Sequence, residues 1–99
     1  MKTKINLIIK TNIIMSFISE NVIPGKIGKT FETNAKKMES LEAIKKGLLE
    51  LKGVEDVELC PDSFPKEFIV HTNHLVNVKD IEQKVISIGY HAVPKGVFE

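Results

Sequence analysis

The 99-residue sequence is poor in several things, and each scarcity closes off a class of protein. It has one cysteine, Cys60, so a single chain can form neither an internal disulfide nor an all-cysteine metal cage. That usage fits a reducing, cytoplasmic setting. It has almost no net charge, +1, and its lysines are interleaved with glutamates; a nucleic-acid-binding face would show as a basic excess or stripe. It has no apolar stretch long enough to span a bilayer. The opening "MKTKINLIIKTNIIMSFI" places basic residues ahead of apolar ones, but Asn6, Lys10 and Asn12 interrupt the run and no small-residue cleavage pattern follows, so it does not read as a secretory signal. No Cys–His, Ser–His or paired-carboxylate arrangement can be assigned from the spacings, which argues against an enzyme.

What is present, 42% apolar and 27% charged residues, describes one globular core. In "INLIIKT", Ile5, Leu7 and Ile9 alternate with polar residues as a half-buried strand over 5–11 would. The next stretch is apolar at Ile14, Phe17, Ile18 and Val22, which predicts a short helix over 13–23, closed by Pro24-Gly25. "PGKIGKT" ends like a phosphate-binding loop, but Gly25 and Gly28 are separated by two residues where the cradle of amides needs four. It reads as a turn.

From residue 29 the pattern is more regular. A strand is expected over 29–34, with Phe31 and Thr33 on one face. A helix over 40–52 follows, because Leu41, Ile44, Leu48 and Leu51 recur at steps of three, four and three; Ser40 can cap its start and Gly53 its end. "VEDVELC" and "EFIVHT" form a hairpin across "PDSFPK", with Val57 and Leu59 matched to Phe68 and Val70. Asn77 caps a second helix carrying Val78, Ile81, Val85 and Ile88 and ending at Gly89, and "YHAVP" is a last strand confined to an edge by Pro94. The order strand, helix, strand, strand, helix, strand gives an α+β fold, the ferredoxin-like βαββαβ plait, with an antiparallel sheet and two helices on one side. Residues 1–28 are then an amino-terminal strand and helix extension, and 29–99 the domain.

The segment "IKKGLLELKGVEDVEL" resembles the helix and following strand of heavy-metal-associated domains, the small copper chaperones and amino-terminal modules of metal-pumping ATPases: Ile44, Leu48, Leu51, Gly53 and Val54 stand where that family has its Ile, Leu, Leu and Gly-Val. "IGYHAV" at 88–93 resembles its Gly-Tyr-x-Ala segment, and the likeness spans about residues 29 to 95. In that family a loop carrying M-x-C-x-x-C before the first helix binds Cu(I), Zn(II) or a similar soft ion. Counting back from Ile44 sets the two cysteine positions at Lys37 and Ser40. An ammonium offers no lone pair, and a hydroxyl is a hard, weak ligand for Cu(I). Thr11-Asn12 echoes Thr33-Asn34 at an offset of 22; in that earlier frame the cysteine positions fall on Met15 and Ile18, which also lack thiolates. Either copy could supply the first strand, or the extra one could be an added edge strand.

The resemblance therefore implies a degenerate member of the metal-ion-handling family that has lost its cysteine ligands and needs no cofactor. It would work as a non-catalytic protein-interaction or dimerisation module, with a protein partner or a second copy, and without nucleic acid or membrane. The alternative is residual heavy-metal or anion binding at the strand–helix loop 35–40, a metal through Met38, Cys60 or histidines, or an anion through Lys36, Lys37, Ser40 and the helix start. Tyr90 resembles the residue that packs beside the metal loop in bacterial copper chaperones. Cys60, Asp56 and His71 are expected on the open face of the sheet, where a Zn(II) cluster competes with the plainer reading of scattered surface groups. His71, His74 and His91 lack the helical pairing that aims two imidazoles at one ion and read as surface residues.

Overall fold

The computed structural model describes residues 20–95. The elements run β1 (Asn21–Val22), β2 (Lys29–Thr33), α1 (Met38–Leu48), β3 (Val54–Cys60), β4 (Glu67–Thr72), β5 (Val76–Asn77), α2 (Val78–Ile88) and β6 (Ala92–Pro94). Four strands form one antiparallel sheet in the order β3-β4-β2-β6, and β1 pairs with β5 in a separate two-stranded ribbon. This is the ferredoxin-like plait. Among the described residues, no helix is long and apolar enough to cross a membrane.

The alternation in the sequence sets the two faces. Phe31, Val57, Phe68 and Val70 are fully buried on one side of the sheet, where Leu41, Ile44 and Leu48 of α1 and Ile81 and Val85 of α2 close over them. Burial of each such side chain contributes about 1.5–3 kcal/mol. The hairpin pairs Leu59 with Phe68 and Asp56 with His71, the expected register, and the rings of Phe31 and Phe68 stack with centroids 5.4 Å apart. At Gly47 a Cβ would strike the side chain of Ile88, so glycine lets α1 approach α2 closely.

Several boundaries differ from the sequence reading. Residues 21–22 are strand, not helix: Val22 pairs with Val76 and is fully buried, so packing draws this β-branched pair into extended backbone. Of the helix expected over 13–23, Glu20 is helical and Ile23 is neither helix nor strand, while its residues 13–19, the strand expected over 5–11 and the frame through Met15 and Ile18 lie outside the described residues. Helix α1 begins two residues earlier than expected, with Lys37 as its cap residue and no side-chain cap bond, and it ends at Leu48, with Leu49 still in right-handed backbone. Ser40 is thus inside the first turn, and Gly53 closes the turn before β3, not the helix. Leu51 leaves the helix yet packs against the core. The second helix matches both expected ends: Asn77 Oδ1 accepts from the Lys79 N–H, and Gly89 is left-handed.

Candidate functional site

The loop from Asn34 to Lys37 joins a central strand to the first turn of α1, and the corner between α2 and β6 clamps it. Thr33 Oγ1 donates to the His91 carbonyl over 2.7 Å and accepts from the Ala35 N–H over 3.3 Å. The His91 N–H donates to Asn34 Oδ1 over 2.8 Å. The Tyr90 hydroxyl donates to Ser40 Oγ over 2.8 Å, and Tyr90 itself is half-buried against the core. Ala35 is buried, which fixes the middle of the loop, whereas Lys36, Lys37 and Met38 face solvent.

The expected site residues therefore separate into two groups. Lys36, Lys37, Met38, Ser40 and Tyr90 meet around the loop. Cys60 belongs to the opposite, helix-free face, because it pairs with Glu67, which pairs with Glu32, and these alternate with Phe68 and Phe31. It cannot join Met38 in a shared ligand set. Burial, with Glu67 and Glu58 nearby, raises the Cys60 thiol above its ordinary pKa, and Lys95 offsets this only in part. The neutral thiol, a poor metal ligand, is the form that results. His71 is not the surface residue expected: it is half-buried, with Nε2 3.2 Å from Glu58 Oε1, and Gly28 packs so closely that a Cβ there would sit 2.8 Å from the imidazole. His74 and His91 are exposed. Among the described residues, no three His, Cys, Asp or Glu side chains gather as a metal ion would require.

A soft ion does not fit the donor set at the loop. Lys37 supplies a cation, and the Ser40 hydroxyl is engaged by Tyr90.

One feature of this end of the molecule went unread in the sequence. The β3–β4 hairpin folds back beside the loop, tied by the Thr33 N–H to the Lys66 carbonyl at 3.0 Å. Between them runs a groove of about 430 Å³ lined by Thr33, Asn34, Ala35, Lys36, Phe64, Pro65 and Lys66. Phe64 is fully exposed on its wall. An aromatic within a turn was the only sequence signal, and it names no partner until the fold sets residues 33–36 alongside.

No protein-family model and no curated protein matches the sequence. Among solved structures, the chain is similar to the copper(I)-loaded first domain of the human copper chaperone for SOD1, CCS, at 25% identity and a TM-score of 0.59, covering 73% of this chain and 97% of that domain. It is also similar to the apo form of the HMA domain of a copper chaperone for superoxide dismutase, at 24% identity and a TM-score of 0.57, covering 75% of this chain and 76% of that one.

Proposed function

Because this chain is a heavy-metal-associated-like domain with one cysteine, we propose that it has left Cu(I) carriage and serves as a non-catalytic protein-interaction or dimerisation module of the metal-handling family, working in the cytoplasm. The observation that carries this reading is the pair at the ligand positions: Lys37 at one, and at the other Ser40, bonded to Tyr90. The loop keeps a fixed shape through hydrogen bonds within the chain. It presents Lys36 and Lys37 where relatives present a metal ion, next to a helix start whose partial positive charge disfavours cations by about 0.3–1 kcal/mol. That arrangement suits an acidic surface brought by a partner or by a second copy.

The test is self-association, and capture of partners from a lysate, as salt is raised. An electrostatic loop interface weakens with salt and with Lys36→Glu plus Lys37→Glu. Indifference to both contradicts the reading.

A further inference from the structure

The groove beside the loop narrows this reading to a partner chemistry. Its floor, Thr33 to Ala35, is held by the bonds to His91 and needs no ordering on binding. One wall carries Phe64, whose ring lies wholly in water, and Pro65; the lining also includes exposed Lys36 and half-buried Lys66, whose Nζ donates to the Pro61 carbonyl over 2.6 Å, and no acidic residue lines it. Rigid, exposed aromatic rings are the usual anchors of interfaces, and rim charges choose the partner. The volume suits one or two side chains and not a whole domain surface. On the open sheet face Glu58 is engaged by His71 and Glu67 by Lys95, and a flat sheet does not enter a groove.

Resting on the interaction reading above, we propose that the groove between the 33–36 loop and the β3–β4 hairpin docks an acidic, extended segment of a partner protein that sets one aromatic side chain against Phe64.

The probe is a blocked pentapeptide with two acidic residues on each side of a phenylalanine, titrated into the isotope-labelled full chain while amide shifts are followed. Expected are saturating shifts confined to residues 33–37 and 63–67. Binding falls about tenfold in Phe64→Ala and again in Lys36→Glu, and a lysine-flanked version of the peptide gives no shifts. Phe64 makes no core contact, so its replacement leaves the fold intact, and unchanged shifts outside the groove verify this. Shifts limited to 36–40 and insensitive to Phe64→Ala overturn the groove but leave the loop reading standing. No shifts at all overturn the groove and leave that reading to the salt test. Shifts that appear on concentrating the chain without peptide assign the groove to a second copy and overturn the partner proposal.

Discussion

Tyr90 and Ser40, 50 residues apart in sequence, are joined by a 2.8 Å hydrogen bond from the tyrosine hydroxyl to the serine Oγ. The bond ties the corner after α2 to the first turn of α1. It also occupies the Ser40 hydroxyl, which the count back from Ile44 assigns to the second ligand position. Tyr90→Phe and Ser40→Ala should each lower stability by about 0.5–1.5 kcal/mol, the worth of one partly buried hydrogen bond. The double variant should cost clearly less than the sum, as denaturant unfolding of all four proteins would measure. Strict additivity would mean that the two groups act separately.

Lys37 is extended at the cap of α1 and Ser40 sits three residues on, in its first turn. Lys37→Cys with Ser40→Cys should therefore create a one-to-one Cu(I) site by substitution of two side chains. Either change alone should not, since a single thiolate leaves the ion without its second soft ligand. Chelator competition on the three variants measures this. A double variant that binds no better than the parent would show that the loop has lost the geometry along with the ligands.

Val22 is fully buried and pairs with Val76, so the amino-terminal segment reaches the core through this side chain. Val22→Ala should cost on the order of 1–3 kcal/mol. Deletion of residues 1–24 should cost at least as much, read as a fall in the melting temperature. An unchanged melting temperature in the truncated chain would show that the β1–β5 ribbon adds nothing to the fold.

Cys60 provides a titration test. Burial first, then Glu67 and Glu58, raise its folded pKa above 9.0. A group raised in this way contributes stability that is complete below the unfolded value and is lost as the pH climbs through the folded one. Alkylation by iodoacetamide should accordingly be slower in the folded chain than in the urea-unfolded chain at pH 8, and the folded rate should still be rising with pH where the unfolded rate has levelled off. A folded thiol that reacts fully at neutral pH would contradict the assigned surroundings.

The sequence was legible where a residue's chemistry marks a position by itself. Asn77 and Gly89 announce both ends of α2, because a side-chain acceptor and a left-handed backbone are local properties. The hairpin register followed from the alternation of Val57 and Leu59 against Phe68 and Val70, since a slip by one residue would turn every apolar side chain to water. The ends of α1 carry no such mark: Lys37 makes no side-chain cap bond and Leu49 stays right-handed, so periodicity carried the expected helix past its true end. The two-residue β1 is too short for any period to show, and burial of Val22 decides it. The loop itself was found by counting from Ile44, but its clamp by Tyr90 and His91 and the groove against Phe64 are long-range relations that only the folded chain assembles.

The central claim is that the loop has exchanged metal carriage for a metal-free surface, and a Cu(I) competition titration of the unmodified chain against a chelator tests it most directly. The account predicts that the chelator keeps the copper and that the chain binds Cu(I) no better than an ordinary protein surface. Tight one-to-one binding that survives Cys60→Ala would contradict it, because some other ligand set would then be replacing the missing thiolates.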